Sequence, residues 1–142
     1  MSVLEQGADV VAHYNTKKDN LDSLEGNSRL SAVQADLTEE PEVVKLFDSI
    51  ANRPIQVLVV NHGIWPSNDA PISSMSLEQW NKTISTNLTS SFLIVREFLR
   101  RLDQPGVSAS TKEKVSVIFI GSTAGKYGEA GHADYAASKS GE

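Results

Sequence analysis

No cysteine occurs among the 142 residues, which excludes disulfide bonds, zinc–thiolate sites and a catalytic thiol. The sequence also has no apolar run of the roughly 18 residues that a membrane-spanning helix needs. Its N-terminus carries no basic segment followed by an apolar one. There is no basic stripe either, and the net charge is −5, which argues against nucleic acid as the main partner. We therefore expect a cytoplasmic protein that binds neither membranes nor nucleic acid.

Histidines with the spacing of metal ligands are also missing. His13, His62 and His132 lie far apart in the sequence, so we expect no metal site. The hydrophobic content of 39% and the charged content of 22% are those of an ordinary globular protein. The length fits one domain with one modest core.

The apolar segments alternate between strand-like and helix-like patterns. Strands are predicted at residues 9–14, 30–35, 57–60 and 115–120. Helices are predicted at residues 1–6, 38–50 and 76–102, and Leu21 and Leu24 suggest a brief helix that ends near Gly26-Asn27. Residues 57–60 are continuously apolar, as in a strand that is buried on both faces of a parallel sheet. The alternation predicts an α/β protein with a doubly wound parallel sheet.

Several helix ends carry their own signals. Gly7 is expected to stop the first helix, and Thr38 to cap the helix whose first turn is acidic and contains Pro41. Ser76 with Gln79 three residues later predicts a capping box for the long helix. Residues 103–114 are predicted to be a polar linker.

The most informative stretch begins at the end of the fourth strand and runs into a helix. Ser122 follows the strand, at the edge where open α/β sheets bind ligands. Tyr135 comes thirteen residues later and Lys139 four residues after that, so a helix presents both on one face. A cation about 4 Å away at an effective dielectric of about 20 favours a phenolate by roughly 4 kcal/mol. These residues are therefore candidates for acid–base catalysis, although this Tyr/Lys spacing alone is also typical of a solvated helix face.

Ser122 followed by Tyr135-Ala136-Ala137-Ser138-Lys139 resembles the Ser…Tyr-x-x-x-Lys signature of the short-chain dehydrogenase/reductase family. The likeness is greatest to its 3-oxoacyl reductase and carbonyl reductase members. It implies a Rossmann-like fold and NAD(P)-dependent hydride transfer between nicotinamide and a carbonyl or alcohol substrate. In the family mechanism Tyr135 would supply the proton, Ser122 would hold the substrate oxygen, and Lys139 would assist Tyr135 and bind the nicotinamide ribose. A homodimer or homotetramer is also implied.

Two further motifs support the resemblance. Asn61-His62-Gly63 resembles the family's Asn-Ala-Gly motif, in which glycine allows close approach of the backbone to a ligand. It departs from the family at His62, which we expect to be a bystander. Asn87 lies in the middle of a predicted helix, where asparagine is a poor helix former. It matches the family asparagine that kinks this helix and holds a water of the proton relay, and is the fourth catalytic candidate.

The resemblance also implies cofactor contacts at the ends of several strands. Asn61 and Gly63 would contact the cofactor after the third strand, and Tyr135 and Lys139 would bind it beside the catalytic serine. Asp36, with Leu37, matches the family aspartate that meets the adenine amino group. Asp36 could equally serve only to cap the following helix.

Cofactor preference should be decided after the first strand, where an NAD site usually has an acidic residue for the ribose 2′-hydroxyl. Here Asn15 and Lys17 follow the strand, with no carboxylate before Asp19. An amide and an ammonium suit a 2′-phosphate better, so we expect NADP in preference to NAD. A solvated turn would explain Lys17 as well.

The resemblance extends over the chain but matches only the middle of a family member. Residues 1–142 are expected to form a partial dinucleotide-binding domain, without the first strand, its glycine-rich turn and the C-terminal strands. A contrasting hypothesis is an inactive remnant that acts as a dimerising module through the helix at residues 76–102. A serine hydrolase is disfavoured, because its Gly-x-Ser-x-Gly elbow would need glycines where Ile120 and Ala124 stand.

Overall fold

The computed structural model describes residues 2–18, 21, 26–51 and 53–142. The strands in these ranges are β1 (Val10–Tyr14), β2 (Leu30–Gln34), β3 (Val57–Val60) and β4 (Ser116–Phe119). The helices are α1 (Glu40–Ser49), α2 (Leu77–Ile84), α3 (Ser90–Leu102), α4 (Ala109–Lys112), α5 (Thr123–Tyr127) and α6 (Ala133–Gly141). A π-helical turn, Ser85–Thr89, joins α2 to α3. All four predicted strands are confirmed, three of them one or two residues shorter.

The strands form two separate parallel pairs. β1 pairs with β2, and β3 pairs with β4. Parallel neighbours need a crossover connection, and α2, the π turn and α3 lie between β3 and β4 in the sequence. Within the described ranges no strand pairs with both β1 and β3. This is an incomplete Rossmann-like α/β fold, as the sequence predicts.

The core lies between the sheets and two helices. α1 packs against α3, where the ring centroids of Phe47 and Phe98 are 6.5 Å apart. Leu58 and Val60 face this core, whereas Val57 and Val59 are 52% and 53% exposed. The expectation that β3 is buried on both faces is therefore wrong for the described part of the chain, because its helices cover only the side that Val60 faces.

Two predicted helix caps differ in detail. Glu39, not Thr38, is the N-cap of α1, because the amide and hydroxyl of Thr38 are both bonded to the Asp36 carboxylate. Ser76 accepts from Gln79 N at 3.1 Å as predicted. The Gln79 side chain instead donates to Asp134, so the reciprocal half of the capping box is not formed.

Other predicted elements need correction. Residues 2–7 form hydrogen-bonded turns rather than a helix, although Gly7 has the positive φ of 87° expected of a stop. The predicted polar linker contains α4, and the single helix predicted at residues 76–102 is interrupted by the π turn. The brief helix predicted from Leu21 and Leu24 includes residues 22–25, which lie outside the described residues. No helix in the described ranges has both the length and the apolar character to cross a bilayer.

Candidate active site

The carboxyl ends of β3 and β4 bring two candidate segments to one edge of the sheet. The strands are parallel with Val60 opposite Phe119, and Ile120 N donates to Val60 O at 3.0 Å. Residues 61–63 and 121–122 therefore leave the sheet side by side. Open α/β sheets bind ligands at this edge.

Gly125 allows the helix after Ser122 to touch the helix that carries Tyr135. A Cβ at Gly125 would lie 2.7 Å from the backbone C and O of Lys139, closer than any side chain could approach. The Ser140 hydroxyl also bonds to Gly125 O. This contact packs α5, the helix that Ser122 caps, against α6 at Lys139.

Ser122 is the N-cap of α5. Its Oγ accepts a hydrogen bond from Ala124 N at 3.2 Å, which satisfies one free amide at the start of the helix. A hydroxyl has one proton to donate in addition to its acceptor lone pairs. Because the cap uses only an acceptor position, the Ser122 proton can still be donated to a substrate oxygen.

Lys139 is deeply placed at the end of β4. Its side chain is 6% exposed, and its ammonium donates to Ile120 O at 3.0 Å and to the two carboxylate oxygens of Glu142 at 2.7 and 2.9 Å. Tyr135 lies one turn earlier on α6, with its ring edge-on to Trp65 at 4.6 Å. Glu142 is a partner of Lys139 that the sequence analysis missed; its signal was a carboxylate at i+3.

Asn87 lies in the π turn and is completely buried, at 0% exposure. Its Oδ1 accepts from Ile64 N at 2.7 Å, and its Nδ2 donates to Ile64 O at 3.0 Å and to Ser138 Oγ at 3.1 Å. Gly63 lies against this amide, since a Cβ there would be 3.2 Å from Asn87 Oδ1. The Asn87 side chain thus ties the segment after β3 to α6, while Asn61 next to it is exposed.

His62, which we expect to be a bystander, is hydrogen-bonded to α3. Its Nε2 lies 2.5 Å from Ser90 Oγ at the start of α3. The pKa of His62 is lowered from 6.5 to about 4, chiefly because burial disfavours the charged imidazole, and further because His13 and Lys139 are nearby. His62 is therefore neutral at physiological pH.

A cluster of aromatic and acidic side chains beside Tyr135 was missed by sequence reasoning. Trp65 stacks on His132 with ring centroids 3.9 Å apart, and His132 Nε2 lies 3.0 Å from Asp69 Oδ1. Trp65 is 50% exposed and lines an open cavity of about 450 Å³ next to α2. No local pattern links Trp65 to His132, because the contact joins loops far apart in sequence.

Asp134 is a second buried group that the sequence analysis did not single out. It is 0% exposed and accepts from Thr83 Oγ1 at 2.7 Å and from Gln79 Nε2 at 3.2 Å. These bonds fasten the beginning of α6 to α2. They place the residue just before Tyr135 against the helix that leads into the π turn containing Asn87.

The remaining cofactor candidates lie at the ends of β1 and β2. Asn15 and Lys17 are exposed after β1, and Asp36 follows β2 on the neighbouring strand. The pKa of Asp36 is lowered, first by the Thr38 hydroxyl and then by the Thr38 amide that bond to it. Leu37 is 5% exposed and belongs to the core.

Comparison with known proteins supports the motif-based resemblance. A family model described as short chain dehydrogenase matches residues 1–142. The chain is 33% identical over 114 residues to the 3-oxoacyl-[acyl-carrier-protein] reductase MabA of Mycobacterium tuberculosis, covering 79% of this chain and 42% of the relative. It is 32% identical over 120 residues to the (3R)-3-hydroxyacyl-CoA dehydrogenase of Rattus norvegicus, covering 82% of this chain and 43% of the relative. It is 35% identical over 109 residues to an uncharacterized oxidoreductase, YgfF, of Escherichia coli, covering 75% and 42%.

The chain therefore belongs to the short-chain dehydrogenase family. It spans about two fifths of the length of these relatives.

Protonation of His62 should make the stability of the protein depend on pH between about 6.5 and about 4. Because the pKa of His62 is about 4 in the fold and 6.5 ordinarily, the unfolded chain binds more protons between these values. The free energy of unfolding should therefore fall as pH is lowered from about 6.5 to about 4. Asp36, whose pKa is lowered from 3.8, contributes stability that is lost only at more acid pH.

This prediction is checked by urea unfolding of the full-length protein at several pH values between about 7 and 4. His62→Gln, which cannot titrate, should flatten the dependence in that window. Equal slopes for the wild type and the variant would contradict the assignment to His62.

Proposed function

We propose that the protein is an NADP-dependent oxidoreductase that interconverts 3-oxoacyl and 3-hydroxyacyl thioesters. The observation that carries the proposal is the packing of α6, which carries Tyr135 and Lys139, against the Ser122 segment through Gly125. The substrate class is supported by the names of two relatives, a 3-oxoacyl-[acyl-carrier-protein] reductase and a (3R)-3-hydroxyacyl-CoA dehydrogenase.

Side chains after β1 and at the end of β4 have the hydrogen-bond donors that a nicotinamide nucleotide would need. An ammonium at Lys139, an amide at Asn15 and an exposed lysine at Lys17 are hydrogen-bond donors for ribose hydroxyls and phosphate. The nucleotide would supply the hydride that reduces the carbonyl carbon. Every proton and orienting contact would come from the protein.

Ser122 and Tyr135 would both interact with the substrate oxygen, in different roles. Ser122, whose Oγ already accepts from Ala124 N, donates its hydroxyl proton to hold that oxygen. Tyr135 supplies a proton to the same oxygen as negative charge develops on it, the role of a general acid. An acyl chain would lie in the cavity lined by Trp65, whose half-exposed ring contacts Tyr135.

Lys139 must exchange a partner to bind ribose. An ammonium has three protons, and the three contacts of Lys139 are to Ile120 O and the two Glu142 oxygens. Binding of a ribose hydroxyl would therefore displace at least one of these three contacts.

Asn87 would serve the proton relay through its backbone. Its side-chain amide is fully used by Ile64 and Ser138, so it has no free donor for a water. Its backbone carbonyl accepts from Ser91 Oγ at 2.6 Å and has a second lone pair. We assign the relay water of the family mechanism to that lone pair.

The direct test is NADPH oxidation by the full-length protein with a 3-oxoacyl thioester of coenzyme A. Turnover that requires both the thioester and NADPH supports the proposal. Absence of nicotinamide nucleotide binding would contradict the proposal. We also propose that the protein is cytoplasmic.

We expect kcat/KM to be higher with NADPH than with NADH. Lys17→Ala should reduce the ratio of the two values by about tenfold. A hydrogen bond to a charged group contributes about 1.5 kcal/mol or more, and every 1.4 kcal/mol is tenfold in affinity. The measurement is kcat/KM for both nucleotides. Lys126→Ala, which removes a different cation, is the control and should leave the ratio unchanged. A preference of the wild-type protein for NADH would overturn the interpretation of Asn15 and Lys17.

Lys139→Met should weaken both turnover and nucleotide binding, because one ammonium serves both. We expect kcat to fall by about a hundredfold and NADPH affinity by about tenfold. Stopped-flow kinetics and fluorescence titration measure the two effects separately. Lys112→Met, which removes an exposed ion pair with Asp103, should leave both unchanged. Normal affinity in Lys139→Met would contradict the ribose contact.

A second candidate function is a dimerising module without catalysis. It is favoured by apolar side chains left exposed on the helices at residues 77–102: Leu77 at 71%, Phe92 at 56% and Leu99 at 46%. Such a face also fits the homodimer or homotetramer proposed for the enzyme. Titration with NADPH discriminates the two functions, since a pure interaction module has no need of the nucleotide.

A further inference from the structure

On the two sides of Gly63, the segment that follows β3 is bonded to the π turn and to Ser90, the first residue of α3. Before the glycine, His62 Nε2 lies 2.5 Å from Ser90 Oγ. After it, Ile64 exchanges two hydrogen bonds with the Asn87 amide, at 2.7 and 3.0 Å. Ser90 and Asn87 are both 0% exposed. The bonds of Ile64 are made by its backbone, which any residue except proline would supply. The bond at position 62 is made by the histidine side chain.

The direction of the His62 bond follows from the serine. The Ser90 hydroxyl has one proton, and Ser90 Oγ donates it to Thr86 O at 2.5 Å. Ser90 Oγ must then accept from His62, so Nε2 carries the imidazole proton. The alanine of the family motif could not make this bond.

Asn87 depends on the loop for its orientation. Its side-chain amide makes two bonds to Ile64 and one to Ser138, and Gly63 is in contact with its Oδ1. A shift of the loop by a fraction of an ångström would therefore stretch the bonds that orient the amide. The π turn, in which Ser90 N bonds back to Ser85 O, has no regular α-helical ladder to resist such a shift.

We propose that His62 is a positioning residue, which through Ser90 holds residues 61–64 against the π turn and so orients Asn87 towards Ser138 and α6. The expected effect of His62 on kcat rests on the proposed function. Its effect on the placement of residues 61–64 does not, so the two effects can be tested separately.

The structural experiment measures hydrogen exchange of the Ile64 amide in the full-length protein, with the Phe47 amide in α1 as the reference for global opening. His62→Ala and Ser90→Ala should each speed Ile64 exchange about tenfold relative to Phe47, as loss of one buried bond implies. The double variant should show no additional effect at Ile64, because both single changes remove the same bond between His62 and Ser90. Ser49→Ala, which removes a comparable serine-to-carbonyl bond within α1, should leave Ile64 exchange unchanged.

The conservative variants test whether the donor itself matters. The amide nitrogen of His62→Gln can reach the position of Nε2 and should restore slow exchange at Ile64. The shorter His62→Asn, whose nitrogen corresponds to Nδ1, should not. If His62→Ala does not fold, the comparison of His62→Gln with His62→Asn still tests whether a donor is needed at the position of Nε2.

The catalytic experiment measures kcat and KM of the same variants. A relay residue misplaced by up to 1 Å costs as much as about a hundredfold, so kcat should fall about ten- to a hundredfold in His62→Ala, with KM within about threefold. His62→Gln should recover most of the loss.

The outcomes separate the inference from the function on which it builds. Unchanged Ile64 exchange in His62→Ala would overturn the positioning role, whether or not kcat changes. Faster exchange that His62→Gln reverses, in a protein with no nicotinamide-linked activity, would support the positioning role and remove the proposed function. Faster exchange with unchanged kcat would overturn the link from His62 to Asn87 in catalysis.

Discussion

Replacing Tyr135 with phenylalanine should lower kcat by about 10²- to 10⁴-fold, the contribution usual for general acid–base catalysis, and leave NADPH affinity within about threefold. The substitution removes only the hydroxyl, so the ring keeps its edge-on contact with Trp65 and α6 keeps its place. Lys139, which would hold the ribose, is untouched. The loss should therefore appear in turnover and not in binding or stability.

The matched control for this prediction is Tyr127→Phe. Tyr127 is on the neighbouring helix α5, is 74% exposed, and its ring lies beside Lys126, with Nζ 5.0 Å from the centroid. It pairs a phenol with an ammonium near the site, yet belongs to no catalytic motif. Its variant should keep full activity. Activity of Tyr135→Phe within tenfold of the wild type would remove Tyr135 from the mechanism.

Residues 1–142 expressed on their own should associate in solution and bind NADPH poorly. β1 and β3 each pair on only one side in the described ranges, so each leaves a row of backbone amides and carbonyls without a strand partner. Unpaired edges beside apolar side chains are templates for aggregation. A few such groups buried without partners cost about 1–3 kcal/mol each, against a typical total stability of about 5–15 kcal/mol.

The open face of the β3–β4 pair strengthens this expectation. Val59 is 53% exposed, Ile118 is 45% and Ile120 is 44%. Sedimentation at several concentrations measures the association. Val59→Thr combined with Ile118→Thr should reduce it, because these changes lower the apolar area without disturbing the core side. A monomer that unfolds cooperatively and binds NADPH with micromolar affinity would contradict the prediction.

The strand positions could be predicted because each strand is an apolar run that ends at polar residues or glycine, and such runs are local. The pairing of β1 with β2 and of β3 with β4 also follows the order expected of a Rossmann-like sheet. The cap of α1 could not be predicted reliably. Thr38 and Glu39 are adjacent, and the choice depended on Thr38 bonding to Asp36 instead.

The candidate catalytic residues were found from spacing, but their surroundings were not. Tyr135 and Lys139 are four residues apart on a helix, so their shared face is a local property. The partners of Lys139, namely Ile120 O and Glu142, depend on where α6 lies against β4. His62 illustrates the same limit, since its significance depends on Ser90, which is 28 residues away.

The sequence by itself determined the family, the four strands and the candidates Ser122, Tyr135, Lys139 and Asn87, because these are encoded in short patterns with fixed spacing. Only the tertiary structure decided that Asn87 lies in a π turn with its amide fully bonded. It likewise decided that His62 is fastened to Ser90 and that Trp65 and His132 stand beside Tyr135. These features are contacts between segments far apart in the chain, and a side chain's partner across such a distance is set by how helices and loops pack, which no local pattern specifies.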